Sequence, residues 1–195
     1  MDRESELELV ARLRAGDTAA FDVVYESFNA RLFNFLARLS RRRDVAEDLL
    51  EETWLRVVDR APRLDPETRL GPFLFTVARN LYVSYCRSRR VADSHAGELI
   101  GLWPYGTPPP TPFESAVANE TDRRVELALA TLPLAYREAL LLVAVQGLRP
   151  AEAAEVCGIQ PEAMRQRLSR ARTLLAERLG HIDAPILARL KEVTT

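Results

Sequence analysis

Apolar residues recur at steps of three and four along most of the chain, which is the spacing of one face of an α-helix. The clearest run extends from Phe21 to Leu39 and follows Asp17, a residue type suited to cap a helix N-terminus. Further helices are predicted from an N-cap at Asp44 to about Val58, from Phe73 to Arg90, and within 122–179. No alternating pattern of useful length indicates a strand. The predicted fold class is therefore all-α.

The helical pattern breaks between two modules. Residues 92–121 hold five prolines and three glycines, the composition of a linker or an extended arm. We expect a first domain over 1–91, a linker over 92–121, a second domain over 122–180 and a tail over 181–195. The linker also carries apolar residues, which we expect to dock on this protein or on a partner.

Charge is distributed unevenly. The net charge of −1 is low for a nucleic-acid-binding protein, whose binding domain is usually basic. However, residues 1–90 carry 16 Arg against 15 acidic residues, and residues 123–180 carry nine Arg against six. Between them, residues 91–122 carry five acidic residues and no Lys or Arg. Two near-neutral to basic modules therefore flank an acidic strip.

Several classes of protein are disfavoured. No apolar run approaches the roughly 20 residues that cross a bilayer, and the N-terminus is acidic where a signal peptide is basic. We therefore expect no membrane insertion and a cytoplasmic location. Cys86 and Cys157 stand in unrelated contexts, which favours reduced structural thiols over a disulfide or a zinc site. Neither His95 nor His181 lies in a catalytic or metal-binding motif, so we expect no enzyme, no cofactor and no metal.

Residues 146–172 have the pattern of a helix-turn-helix. A short helix leads to a turn at 157–159, and Pro161 stands at the first turn of a second helix. On that helix an apolar stripe is predicted to be buried, and the opposite face is polar and rich in arginine. Such a face can contact base edges and phosphates in a major groove, although a merely solvated basic face is the alternative. The candidate DNA-binding residues are Arg149, Arg165, Gln166, Arg167, Ser169, Arg170 and Arg172.

A cluster of acidic residues marks the helix predicted to follow Asp44. Glu47, Asp48, Glu51 and Glu52 are spaced so that like charges meet at four-residue steps, each costing a few tenths of a kcal/mol. Such a cluster favours a basic partner, with Leu49, Leu50 and Trp54 available for burial in the core or at an interface. An ordinary exposed acidic face is the alternative.

Two parts of the chain resemble the sigma-70 family of bacterial RNA polymerase, in particular its extracytoplasmic-function (ECF) group. Residues 128–142, followed by the helix-turn-helix, resemble sigma region four, and 46–54 and 73–80 resemble parts of sigma region two. The resemblance implies a non-catalytic subunit that recognises promoters and opens DNA. Its implied partners are promoter DNA, an anti-sigma factor, and the flap and largest-subunit clamp of core RNA polymerase. It also implies that the acidic linker lies in the polymerase cleft.

The resemblance also assigns roles to the candidate residues. The helix-turn-helix would read the promoter's minus-thirty-five element. The acidic helix would bind core polymerase through Glu47, Asp48, Leu49, Glu51, Glu52 and Trp54. The opened minus-ten strand would be captured by Arg79, Asn80, Ser84, Arg87, Arg89 and Arg90. Tyr82 and Tyr85 are candidates for stacking on bases, although their helical spacing favours the core for Tyr85.

A stand-alone helix-turn-helix regulator remains the alternative. Such a protein would bind duplex DNA without polymerase, commonly as a dimer on palindromic half-sites. The sequence shows neither a dimer seam nor an effector pocket.

Overall fold

The structure is a computed structural model that describes residues 3–95 and 120–180, and every regular element in these ranges is a helix. The predicted all-α class is confirmed. The first module contains α1 (Arg3–Arg14), α2 (Thr18–Ser40), α3 (Arg43–Arg60), a short 3₁₀ helix (Ala61–Arg63) and α4 (Leu70–His95). The second contains α5 (Glu120–Thr131), α6 (Leu134–Leu140), a π-helical segment (Leu141–Val145), α7 (Pro150–Cys157) and α8 (Pro161–Leu179).

Helix α2 forms the centre of the first module. The Asp17 carboxylate accepts hydrogen bonds from the backbone N–H groups of Ala19 at 2.9 Å and Ala20 at 3.3 Å, which confirms the predicted N-cap. Leu32 and Phe35 are fully buried, and the Phe35 ring packs edge-on against Phe75 of α4 with centroids 5.3 Å apart. Burying side chains of this size contributes about 1.5–3 kcal/mol each.

The start of α3 differs from the prediction. Arg41 adopts a left-handed backbone with φ of 56°, which ends α2, and Arg42 then occupies the N-cap position of α3. The prediction that Asp44 is the N-cap is therefore wrong. Asp44 lies in the first turn of α3, where it pairs with the Arg42 side chain near the positive end of the helix dipole. The hydrogen bond from Arg42 lowers the pKa of the Asp44 carboxyl.

Helix α4 is longer than its apolar pattern predicted. It begins at Leu70, whose backbone N–H donates to the Glu6 carboxylate of α1 at 2.9 Å. It continues to His95, within the segment predicted as a linker. The remaining linker residues 96–119, with their apolar positions and the expected docking of this arm, lie outside the described residues, as do His181 and the rest of 181–195.

The second module contains the helix-turn-helix. Gly158 ends α7 with φ of 65°, a conformation that glycine adopts without strain, and Pro161 begins α8. The predicted stripe on α8 is buried, with at most 1% exposure at Met164, Leu168, Ala171 and Leu175. The apolar segment that precedes α7 is not one regular helix, because α6 ends at Leu140 and a π-helical segment begins at Leu141.

The two modules pack against each other. Helix α4 of the first module contacts α7 of the second, and α2 contacts α6. The buried residues of both modules form one continuous cluster. Within the ranges that the structure describes, no helix is long and apolar enough to span a membrane.

Candidate protein and nucleic-acid interfaces

An apolar groove lies between α2 and α3. It is a cavity of about 490 Å³ whose floor includes the Trp54 ring, with Phe21 5.6 Å and Tyr25 4.9 Å away between ring centroids. The Trp54 indole N–H donates to the Asn29 side-chain oxygen at 3.0 Å, which fixes the ring. Leu55 and Val58 line the groove while being 61% and 53% exposed. We call this site the α2–α3 groove.

Two members of the predicted acidic cluster form one rim of the α2–α3 groove. Glu47 and Glu51 line it, and Asp48 is exposed on the same helix. Glu47 pairs with Arg43 at 2.7 Å and Glu52 with Arg56 at 2.8 Å, each one turn away. These pairs offset part of the repulsion that the sequence suggested.

The apolar members of the predicted polymerase-binding set are divided between core and groove. Leu49 is buried in the core, whereas Trp54 is buried but forms the groove floor. Among the groove residues that the sequence did not indicate are Tyr25, which lies within the apolar run from Phe21 to Leu39 and is 40% exposed, and Leu55 and Val58. The available signal was that Leu55 and Val58 are apolar yet lie off the buried stripe of α3.

A polar face of α4 carries most of the predicted minus-ten residues. Asn80, Ser84 and Arg87 are exposed at positions i, i+4 and i+7, and Arg89 is exposed beyond them. The side chain of Arg90 lies outside the described residues. Tyr82 does not face an incoming base, because it is buried and its hydroxyl donates to the Leu39 carbonyl at 2.9 Å. Burial raises the pKa of that hydroxyl.

Neither Tyr85 nor Arg79 belongs to this polar face. Tyr85 is half-buried and packs against the core, as its spacing favoured. Arg79 is directed to the second module, where its Nε donates to Oε1 of the buried Glu138 at 2.6 Å. Burial alone would lower the pKa of the Arg79 guanidinium, but the hydrogen bond and charge of Glu138 outweigh it and raise the pKa.

Helix α8 presents the predicted polar face. Arg165, Gln166, Ser169 and Arg170 are exposed, and Arg167 and Arg172 are half-buried on its flanks. Burial lowers the pKa of Arg172. Arg165 donates to the Glu162 carboxylate at 2.9 and 2.5 Å, and this hydrogen bond lowers the pKa of Glu162.

Arg149 lies apart from the α8 residues. It is the N-cap of α7, where Glu152 accepts its backbone N–H at 2.8 Å in a capping box. It also lines a cavity of about 350 Å³ between the modules, together with Arg3, Arg31 and Arg69.

Both cysteines are free thiols. Cys157 is buried near Glu138 and Arg79, and burial, together with the negative charge of Glu138, raises the pKa of its thiol to about 12. Cys86 is half-buried on α4. Among the residues described on either side of the 96–119 gap, no group of three or more His, Cys, Asp or Glu side chains could hold a metal ion.

Comparisons with known proteins agree with this division into modules. Residues 24–91 match the family Sigma-70 region 2, and residues 122–175 match Sigma-70, region 4. The polar face of α4 and all the groove-lining residues except Phe21 lie in the first match. Most of α8, including the exposed Arg165 and Arg170, lies in the second.

Whole-chain relatives and solved structures extend the similarity. The RNA polymerase sigma factor CarQ of Myxococcus xanthus is 33% identical over 175 residues, which cover 90% of this chain and 98% of CarQ. The ECF RNA polymerase sigma factor SigM of Bacillus subtilis is 30% identical, over 79% of this chain and 91% of SigM.

The sigma factor RpoE of Bartonella quintana, solved with the anti-sigma factor NepR, superposes with a TM-score of 0.67 at 26% identity, covering 82% of this chain and 96% of RpoE. CnrH, solved with the cytosolic domain of CnrY, shares the fold, with a TM-score of 0.66 at 22% identity over 89% of this chain and 96% of CnrH. Since relatives at 30% identity or more align over nearly their whole length, the chain belongs to the ECF group of sigma-70 factors, which give bacterial RNA polymerase its promoter specificity.

Proposed function

We propose that three separate surfaces divide the work of this sigma factor. The α2–α3 groove binds core RNA polymerase, the polar face of α4 captures the opened minus-ten strand, and α8 reads the minus-thirty-five element in duplex DNA. The observation that carries the proposal is α8 itself, whose arginine, glutamine and serine side chains are exposed above a fully buried stripe. The stand-alone regulator is not favoured, because the similar full-length proteins are polymerase sigma factors.

The domain assignment follows from these surfaces. We propose that residues 1–91 form the region-two domain and 122–180 the region-four domain, joined by the linker 92–121 and followed by a tail, 181–195. The protein acts without catalysis or a cofactor, in the cytoplasm where polymerase and promoters are found. Because the similar RpoE was solved with an anti-sigma factor, we extend a regulatory partner of that class to this chain.

The groove suits an amphipathic, basic partner helix. Its exposed Leu55 and Val58 offer apolar area, and the Trp54 ring forms a rigid floor of the kind that dominates binding energy at interfaces. Glu51 and the exposed Asp48 add a negative rim, which speeds encounter with a basic surface and fixes its register. The coiled coil of the polymerase clamp is the partner that we propose.

Leu55→Glu tests the groove. Because Leu55 is 61% exposed, the change should cost the fold little, while placing a charge in the proposed interface. We expect the Kd for core polymerase to rise at least tenfold, measured by fluorescence anisotropy of the labelled sigma factor. Val23→Glu is the matched control, since Val23 is 45% exposed and does not line the groove. Equal affinities for the two variants would reject the groove as the polymerase site.

The α4 face suits single-stranded DNA. Asn80 offers both a donor and an acceptor to a base edge, and Arg87 and Arg89 supply positive charge for the backbone. A promoter duplex and the same promoter carrying a pre-opened minus-ten bubble distinguish capture from duplex reading. We expect Asn80→Ala holoenzyme to bind both templates more weakly than wild type does. Gln166→Ala holoenzyme should lose affinity for the duplex and lose less of its affinity for the template with the bubble. Unchanged bubble binding by Asn80→Ala would exclude its role.

A further inference from the structure

The cavity that Arg149 lines is rich in positive charge. It has a volume of about 350 Å³, near the lower end of the range of roughly 300–1,000 Å³ that is usual for small-molecule sites. Its charged lining residues are four arginines and two glutamates, namely Arg3, Arg31, Arg69, Arg149, Glu6 and Glu152. The lining therefore carries an excess of positive charge, and we call the site the arginine cavity.

Both oxygens of each carboxylate in the arginine cavity already accept hydrogen bonds. Those of Glu6 accept from Arg3 and from the Leu70 backbone N–H, each at 2.9 Å. Those of Glu152 accept from the side chain and the backbone N–H of Arg149, each at 2.8 Å, and from a second arginine of the lining. These contacts pair three of the four arginines with an acid and leave one without an acidic partner.

The remaining arginine is Arg31, which is half-buried on α2. Its Nη2 donates to the Gln146 carbonyl at 2.6 Å, and its guanidinium carbon lies 4.9 Å and 5.7 Å from the ring centroids of Phe28 and Phe75. It forms no ion pair with any residue of 3–95 or 120–180, and burial lowers the pKa of its guanidinium. The cavity thus holds a partly desolvated cation whose charge these contacts do not neutralise.

An oxyanion with several acceptor oxygens fits this lining. Guanidinium groups bind phosphate through paired N–H donors, and such charge-assisted hydrogen bonds are stronger than neutral ones. Gly71 and Pro72 also border the cavity, in the first turn of the 26-residue helix α4. The positive end of that helix dipole adds to the attraction for an anion.

We infer that the arginine cavity binds a small polyphosphate anion, which supplies the negative charge that Arg31 lacks. A multivalent anion is favoured over a monovalent one because the lining has two more arginines than glutamates. The α2–α3 groove, the Asn80 face of α4 and the exposed face of α8 are not part of this cavity. The inference therefore does not depend on the functions proposed for those surfaces.

Isothermal titration calorimetry of the full chain with pyrophosphate, without polymerase or DNA, tests the site at constant ionic strength. We expect wild type to bind one equivalent saturably, and Arg31→Gln to raise the Kd at least tenfold. Arg60→Gln is the charge-matched control and should bind as wild type does. Arg60 is exposed, does not line the cavity and forms no ion pair within the described ranges.

Three results would overturn the inference. The first is the absence of saturable pyrophosphate binding by wild type. The second is an equal loss of affinity in Arg31→Gln and Arg60→Gln, which would indicate a response to net charge only. The third is displacement of pyrophosphate by a single-stranded DNA 20-mer, which would assign the cavity to nucleic-acid phosphate instead of a free anion.

Thermal unfolding separates ligand binding from a structural role of Arg31. A ligand that binds the folded state stabilises it, so pyrophosphate should raise the Tm of wild type and of Arg60→Gln. The Tm of Arg31→Gln should not respond. A lower Tm of Arg31→Gln without ligand, together with an undiminished response to pyrophosphate, would mean that Arg31 is only structural and would contradict the inference.

A second variant keeps the test independent of the folding of Arg31→Gln. Arg31→Gln should fold, because it removes a charge without leaving a buried carboxylate unpaired, and circular dichroism verifies this. Arg149→Gln alters the cavity from the other module at a side chain that is 65% exposed. It should also weaken pyrophosphate binding severalfold. An unchanged Kd in Arg149→Gln would overturn the assignment even if Arg31→Gln did not fold.

Discussion

Arg79 and Glu138 are 59 residues apart in sequence and are joined by a hydrogen-bonded ion pair of 2.6 Å that links α4 to α6. Glu138 is only 4% exposed at its side chain, so the carboxylate depends on this arginine for compensation of its charge. Arg79 precedes Asn80 on α4, yet the two side chains serve different surfaces, one between the modules and one facing solvent.

The pair should be strongly coupled energetically. Arg79→Ala leaves a buried carboxylate without its partner. The substitution should therefore lower the free energy of unfolding by more in the wild-type background than in a Glu138→Ala background. We expect a coupling energy of about 1–3 kcal/mol from urea denaturation of wild type, both single variants and the double variant. A coupling near zero would mean that the modules do not rely on this contact in solution.

Cys157 should respond to pH and to alkylation in a defined direction. Its folded pKa of about 12 lies above the ordinary value of 9.0, so folding favours the protonated thiol. The stability associated with this shift is complete below pH 9 and is lost as the pH rises toward 12.

The rate of alkylation with iodoacetamide at about pH 8.5, followed by peptide mass spectrometry, reports how accessible and how ionised each thiol is. We expect Cys86, which is half-buried, to be modified well before the buried Cys157. Unfolding in urea should remove the difference and provides the control. Equal rates in the native protein would contradict the buried position of Cys157.

The sequence predicted the helix-turn-helix well because its signals are local. The stripe on α8 needs only the helical period, and the turn needs only Gly158 and Pro161. The same holds for Asp17, whose side chain caps the helix that begins next to it. The prediction of Asp44 as an N-cap was wrong because the left-handed backbone of Arg41 moves the start of α3. A residue's capping preference cannot anticipate that backbone change.

The contacts between modules could not be predicted from sequence. Nothing in the polar pattern of α4 distinguishes Arg79 from Asn80, since one helical step separates a side chain facing a partner module from one facing water. Glu126 and Glu138 likewise look like ordinary polar positions until the fold brings them to Arg38 and Arg79. For the α2–α3 groove, the sequence indicated the acidic rim but not the exposed apolar side chains that line it.

The acidic rim should govern association with polymerase. Asp48→Arg reverses an exposed charge on α3 and should slow binding to core polymerase about tenfold at low salt, with a smaller effect at high salt. Stopped-flow fluorescence gives the association rate. Asp59→Arg, an exposed residue near the other end of α3, is the control and should bind at nearly the wild-type rate. Equal slowing by both changes would reject a specific role for the rim.

Arg165 should matter for promoter choice and little for stability. Its pair with Glu162 is exposed by more than half on both sides, so Arg165→Ala should change the free energy of unfolding by no more than about 0.5 kcal/mol. If Arg165 contacts a base, holoenzyme affinity should fall by about 1–3 kcal/mol on the preferred promoter and less on a promoter altered at that base. A uniform loss on all promoters would identify a phosphate contact instead.

The central claim is that this chain gives core RNA polymerase a promoter specificity. The most direct measurement transcribes fragmented genomic DNA with core polymerase, with and without the purified protein, and maps the 5′ ends of the transcripts. The account predicts a set of new starts that share two upstream sequence elements, and these starts should disappear with Leu55→Glu. No new starts, together with polymerase-independent binding to palindromic duplex sites, would contradict it.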